Sequence, residues 1–168
     1  MSKFLYILLV SLFLGAVCLL IYSIAIPVHN EKLTEFYILG INGNATDYPT
    51  DFTLENGRVT NVQYGNTGIP LQENCGIVIL NIVNYEKQQS SYKVVMQING
   101  TQVDISFNGQ SVPSIGPIEL APHGKWEQQI GIAPTKAGSD QEVELFLYKD
   151  AGAEAYLNLH LWINVTQR

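Results

Sequence analysis

Residues 143–165 read VELFLYKDAGAEAYLNLHLWINV, and the way the two apolar halves of this stretch pair decides the fold. Successive side chains of a β-strand point to opposite faces. Leu157, Leu159, Leu161, Ile163 and Val165 therefore make one face of the second half, and Tyr156, Asn158, His160, Trp162 and Asn164 make the other. Matching apolar faces sets Leu147 against Leu157, Leu145 against Leu159 and Val143 against Leu161. A slip of one residue would put leucines opposite asparagine and histidine. The register predicts that Leu157, Leu159 and Leu161 fill a core between two sheets. It also sets Tyr148 opposite Tyr156, Phe146 opposite Asn158 and Glu144 opposite His160.

The outward face is the unusual one. A solvated strand face ordinarily carries Lys, Glu and Thr, whereas this one gathers Glu144, Phe146, Tyr148, Tyr156, His160 and Trp162. These six residues are the candidate interaction face, because outward aromatic rings recur in protein interfaces and sugar-binding platforms. The alternatives are a second core side or cover by a loop. Partial loop cover is the expectation, since an open Trp-Tyr-Phe cluster invites aggregation. Glu144 and His160 together suggest an acid–base pair, but a cross-strand salt link explains the same residues.

A second hairpin is legible in SYKVVMQINGTQVDISF, residues 91–107. Asn99-Gly100 suits a two-residue turn with positive φ at both positions. Pairing outward from it sets Met96 against Val103, Val94 against Ile105 and Tyr92 against Phe107 on an apolar face. Gln97 with Gln102, Val95 with Asp104 and Lys93 with Ser106 then take the other. Further short alternating segments lie at Glu35–Leu39, Phe52–Leu54, Val59–Tyr64, Gly76–Tyr85, Ile115–Leu120 and Trp126–Ile132, between Gly, Pro, Asn and Asp clusters. No segment after residue 30 carries a 3.6-residue apolar period. The fold class is all-β, an antiparallel two-sheet Ig-like sandwich at residues 34–168.

Ahead of it stands FLYILLVSLFLGAVCLLIYSIAI, an uncharged run of 23 residues from Phe4 to Ile26. At about 1.5 Å per residue it is long enough to cross a hydrocarbon core about 30 Å thick. It reads as an N-terminal transmembrane signal-anchor helix within residues 1–26, followed by a short tether at 27–33. A cleaved signal peptide is the rival reading, although its apolar region is ordinarily shorter. Lys3 and the α-amino group precede the run and PVHNEKLTE follows it, so the N-terminus is cytoplasmic and the C-terminal domain extracytoplasmic. Nine Lys and Arg less Lys3 leave eight outside, against 15 Asp and Glu, a formal charge of −7. Such a surface argues against nucleic acid. The partners expected are the lipid bilayer, through Phe4–Ile26, and other envelope proteins or further copies of the chain.

Of the two cysteines, Cys18 lies in the apolar run and Cys75 stands alone beyond it, so stability must come from burial. Val17 before Cys18 argues against lipid attachment there. Three Asn-x-Thr sequons, at Asn44, Asn99 and Asn164, all fall on the side assigned outside, which favours glycosylation over coincidence. His29, His123 and His160 make no zinc spacing, and neither a G-x-S-x-G elbow nor an activating partner for Cys75 is present in the sequence. NGNATDYPTD, residues 42–51, offers Asn42, Asn44, Asp47 and Asp51 as oxygen ligands. It lacks the 12-residue calcium pattern and its closing glutamate. Neither a cofactor nor a metal is expected.

TEFYILGINGNATDYPT (34–50), ILNIVNYEKQQSSYKV (79–94) and above all the closing 143–165 stretch resemble domain-of-unknown-function family 1616, a group of archaeal membrane proteins. The resemblance extends over most of Thr34 to Val165, and the LHLW-containing strand is its most specific part. It implies an archaeal cell-envelope β domain behind N-terminal membrane helices, and it brings no catalytic residues. NGRVTNVQYGNTGIPLQENC, residues 56–75, is longer than the family pattern, which leaves the loops there open. The function expected is that of a non-enzymatic single-pass cell-envelope protein whose exterior sandwich is a structural or protein-interaction module. The alternative is a carbohydrate-binding module or an accessory domain of a surface glycosylation system.

Overall fold

The computed structural model describes Lys3, Leu8 and residues 10–17, 33–65, 70–71 and 74–168. The chain divides into two compact units, Met1–Lys32 and Leu33–Arg168. In the first, Lys3, Leu8 and residues 10–17 are helical, and the apolar side chains Leu12 and Phe13 are each 71% exposed. Among the described residues no helix is long and apolar enough to cross a membrane. The remainder of the Phe4–Ile26 anchor, Cys18 with it, and residues 27–32 of the tether lie outside the described residues.

The second unit is all-β. Its strands are β1 (Thr34–Leu39), β2 (Pro49–Glu55), β3 (Arg58–Tyr64), β4 (Pro70–Leu71), β5 (Gly76–Asn84), β6 (Ser90–Ile98), β7 (Thr101–Val103), β8 (Ile105–Phe107), β9 (Gln110–Val112), β10 (Ile115–Leu120), β11 (Lys125–Ile132), β12 (Gly138–Lys149) and β13 (Leu157–Gln167). They form two sheets. The small one runs β1-β5-β11-β8-β9, and the large one runs β10-β6-β12-β13-β2-β3-β4, with β7 beside β6. The pairing is antiparallel with one exception, β13 with β2, which is parallel and sets Asn164 beside Asp51 and Val165 beside Phe52. Both strands point the same way because a long excursion through the rest of the sandwich separates them, which a hairpin does not allow.

The inward residues of the two sheets interdigitate as one core. Phe52, Leu54, Val78, Leu80, Ile82, Val94, Met96, Ile130, Ile132, Val143, Leu145 and Leu147 are all buried there. Each large aliphatic or aromatic residue taken from water contributes roughly 1.5–3 kcal/mol, so burial alone is an ample driving force without disulfides. Two glycines allow close approaches, Gly76 of β5 between the two sheets and Gly131 of β11 to its neighbours on the small sheet. A Cβ on Gly76 would stand 2.6 Å from Pro49 Cβ and 2.7 Å from Phe52 Cζ, and one on Gly131 would stand 2.5 Å from Cys75 Sγ. Tyr64 Oη accepts a hydrogen bond from the Ile77 N–H at 2.9 Å, which ties β3 to β5.

The β12–β13 register is the one read from the sequence: Leu147 faces Leu157, Leu145 faces Leu159, Val143 faces Leu161, Phe146 faces Asn158 and Glu144 faces His160. The expected core filling is corrected, however. Leu157, Leu159 and Leu161 are half-buried, and the fully buried residues of β13 are Ile163 and Val165. β13 packs against β1, the edge strand of the small sheet, so these leucines lie where the covering sheet ends.

The second hairpin is also shorter than expected. Met96 faces Val103, Gln97 faces Gln102 and Ile98 faces Thr101, but the pairing stops there. Beyond Asp104 the chain leaves for the small sheet, where Ser106 pairs with Gly131 and Phe107 packs on Trp126 with ring centres 6.1 Å apart. β10 takes the vacated edge, so Val94 faces Ile115 and Tyr92 faces Ile118 in place of Ile105 and Phe107. The exchange puts Ile105 into the core from the opposite sheet, fully buried.

Candidate functional site

Alternation along β12 turns Val143, Leu145 and Leu147 inward, and Glu144, Phe146 and Tyr148 therefore lie on the outer face of the large sheet. β6 adds Lys93, Val95 and Gln97, which sit opposite Tyr148, Phe146 and Glu144 in the ladder. β13 adds Asn158, His160 and Trp162. The middle of this surface is apolar: Phe146 is half-buried and Val95 is buried beside it. Lys93 Nζ lies 5.1 Å from the centre of the Tyr148 ring, a cation–π contact.

Toward β13 the surface opens. Trp162 is 54% exposed, and the His160 ring meets it edge-on with centroids 6.5 Å apart. The expected loop cover over this corner is not what the structure has: His160 and Trp162 stand exposed, while Glu144, Phe146 and Tyr148 are half-buried within the sheet. The ion pairs among the described residues are Lys125–Glu127, Lys149–Glu86 and Lys149–Asp150, so none joins Glu144 to His160. At the other end of the face, Ser91, Lys93, Gly116, Pro117, Tyr148 and Gly152 line a hollow of about 330 Å³.

Tyr156 is set apart from the other five candidates. The ladder ends at Leu147 with Leu157, and Tyr156 precedes β13 with its N–H donating to the Leu147 carbonyl at 2.7 Å. Its ring lies 5.1 Å from Lys149 Nζ, whereas Tyr148 holds Lys93. Tyr156 therefore belongs to a polar cluster at the end of the sandwich.

That cluster carried no sequence signal, since its members lie far apart along the chain. Lys149 Nζ donates to Glu86 Oε1 at 2.5 Å, with the two side chains 10% and 3% exposed. Thr34 Oγ1 donates to the same oxygen at 3.4 Å and lies 2.9 Å from Tyr92 Oη. Burial on its own pulls the Lys149 ammonium down. The hydrogen bond and charge of Glu86, with Tyr156 and Tyr92 beyond, outweigh it and hold Lys149 above the ordinary lysine value. Glu86 Oε2 is buried without a hydrogen-bond partner among the described residues.

The sequon asparagines occupy three different settings. Asn44 is exposed in the β1–β2 loop. Asn99 is exposed at positive φ in the β6–β7 turn, its Oδ1 accepting from the Glu142 N–H at 2.9 Å. Asn164 is also exposed but held on both sides, its Oδ1 accepting from the Asp140 N–H and its Nδ2 donating to Asp51 Oδ1. In the 42–51 stretch, Asn42 Nδ2 and Thr46 Oγ1 both donate to Asp47 Oδ2. Among the described residues no group of three or more His, Cys, Asp or Glu is placed to hold a metal ion.

Fold and surface together define an all-β, two-sheet sandwich with an exposed tryptophan–histidine corner on its larger sheet. The chain belongs to the family described as Domain of unknown function (DUF1616), whose profile matches residues 71–164 and so takes in β5 through most of β13. The opening stretch that resembled the family, residues 34–50, lies outside the matched part. Among solved structures, the chain is similar to the CARDB domain of the PF1109 protein from Pyrococcus furiosus, determined in complex with di-metal ions. Identity is 12%, 80% of this chain and 89% of that one are covered, and the TM-score is 0.46. No curated protein matches.

Proposed function

We propose that the protein is a non-enzymatic single-pass protein of the cell envelope, archaeal as its resemblance implies. Phe4–Ile26 is its uncleaved anchor and the N-terminus is cytoplasmic. The exterior Ig-like sandwich serves as a structural or interaction module for other envelope proteins or a second copy of the chain. The observation that carries the reading is Trp162, more than half exposed on a regular strand beside His160 and next to the half-buried Phe146 and Tyr148. Aromatic anchors of this kind concentrate binding energy in protein interfaces. The anchor reading is supported by the helical residues 10–17, which expose Leu12, Phe13 and Leu14. Ser11 Oγ is satisfied locally by donating to the Leu8 carbonyl at 2.9 Å, as a hydroxyl in hydrocarbon must be.

The test is a detergent pull-down from native membranes with the wild-type chain and Trp162→Ala. Retention of the same partner by both, at equal folding, overturns the assignment of this face. A second reading, a carbohydrate-binding or glycosylation-accessory domain, is favoured by the Trp162–His160 corner with the polar residues Asn158 and Glu144 on the same face. A glycan array separates the two, because a sugar reader retains defined glycans that Trp162→Ala loses, and a protein-interaction module retains none.

A further inference from the structure

Four large hydrophobic side chains are exposed on the sandwich among the described residues, and three of them, Leu33, Tyr85 and Tyr156, stand at one end of it. They are 49%, 43% and 37% exposed. Their proximity is fixed by direct contacts. The Tyr85 N–H donates to the Leu33 carbonyl at 3.0 Å, and the Tyr85 ring meets exposed His123 with centroids 6.3 Å apart. Glu86, the residue after Tyr85, holds Lys149, and Lys149 holds Tyr156. Around these rings the exposed loop tips are Ala121-Pro122 and the small residues Ala151, Gly152, Ala153 and Ala155, with Lys87, Asp150 and Glu154 as the exposed charged groups of the three loops at this end.

The sequon asparagines lie off the opposite ends of the same strands. β1 begins at Thr34, next to Leu33, and Asn44 follows its far end. β12 ends at Lys149, and Asn99 and Asn164 are bonded near its beginning, at Glu142 and Asp140. The uncharged run Phe4–Ile26 ends seven residues before Leu33, a span of at most about 25 Å.

We propose that this end of the sandwich, presenting Leu33, Tyr85, His123 and Tyr156, rests in the lipid–water interface of the membrane that anchors the chain. The inference depends on the anchored reading above. Tyrosine suits that layer because its ring takes the apolar side and its hydroxyl the wet side. Glu86 is neutralised by Lys149, and the exposed charges of the three loops, Lys87, Asp150 and Glu154, sum to only −1, so zwitterionic lipid suffices and no anionic headgroup is required.

The experiment uses the full chain in phosphatidylcholine vesicles, with Cys18 and Cys75 replaced by serine and one environment-sensitive fluorophore attached through Tyr85→Cys, Tyr156→Cys or, as a control, Asn99→Cys. Leu33→Cys is a fourth reporter should either tyrosine replacement unfold the domain. The result expected is blue-shifted emission, quenched by nitroxide-bearing lipids, at 85, 156 and 33, with aqueous emission at 99. Aqueous emission at all sites in protein that resists alkaline extraction overturns the interfacial contact and leaves the anchor standing. Release of the chain by alkaline extraction overturns the anchored reading and this inference with it. Blue-shifted emission that lipid nitroxides leave unquenched identifies a protein cover and also overturns it.

Discussion

Lys149 and Glu86 show how much one buried pair governs at this end of the sandwich. Lys149→Met leaves the Glu86 carboxylate buried without its cation, and Glu86 Oε2 already lacks a partner among the described residues. The expected cost is about 3–5 kcal/mol in chemical denaturation of the detergent-solubilised chain, with most of it recovered in Glu86→Leu/Lys149→Met, since replacing both members removes the stranded charge. The pH dependence has a definite sign. Lys149 is held above the ordinary value of about 10.4. The stability it lends is therefore complete below that pH and is lost as pH rises through its raised folded value. Thermal melts between pH 9 and 12, a range chosen to span roughly that value, should show the wild type losing more stability than the double variant. Trp162 is the opposite case. With more than half its surface in water, Trp162→Ala should change stability by about 0.5 kcal/mol or less, as for other surface changes, where a core aromatic costs about 3–5. A large drop in melting temperature on this change would place Trp162 in the packing.

Among the elements, the Asn99-Gly100 turn was the one turn read directly. Asn56-Gly57, Asn99-Gly100 and Asn108-Gly109 all have positive φ at both positions and join β2–β3, β6–β7 and β8–β9 with two-residue turns. The same dipeptide chemistry that marks the second also marks the other two. Gly100 has open space where a Cβ would go, so Gly100→Ala meets only backbone strain at φ 73° and should cost about 1 kcal/mol. Gly76→Ala must push β5 away from Pro49 and Phe52 of β2 and should cost more, about 1–3 kcal/mol or above, as overpacking does. Denaturation midpoints of the two variants check the order, and equal midpoints would contradict the close approach. The β7–β8 break at Asp104 was not legible, because Val103, Ile105 and Phe107 keep the alternation of one unbroken strand even though the chain changes sheets between them.

For the whole molecule, exposure at the loop and turn positions predicts glycans at Asn44 and Asn99 in native material. Asn164 should carry less, since a glycosylated Nδ2 would disturb its bond to Asp51 within the β13–β2 pairing. Peptide mapping decides this, and unmodified asparagine at all three positions would make the sequons coincidental. The anchor has its own measurement. An intact mass beginning at Met1 or Ser2 is expected, and a mature chain beginning near Ala25 or later would mean that the apolar run is removed.

Period-two alternation was enough to determine the all-β class, the β12–β13 register and the outward placement of Glu144, Phe146, Tyr148, His160 and Trp162, because a strand's side-chain parity is a local property and a one-residue slip reverses every face. Three things were settled only by tertiary structure. These are the parallel β13–β2 pair, the transfer of Ile105–Phe107 to the small sheet and the joining of Thr34, Glu86, Tyr92, Lys149 and Tyr156 at one end. Each depends on which distant strands become neighbours. Half-burial of Leu157, Leu159 and Leu161 has the same origin, since alternation assigns a side chain to a face, and only the width of the opposing sheet decides whether that face is covered.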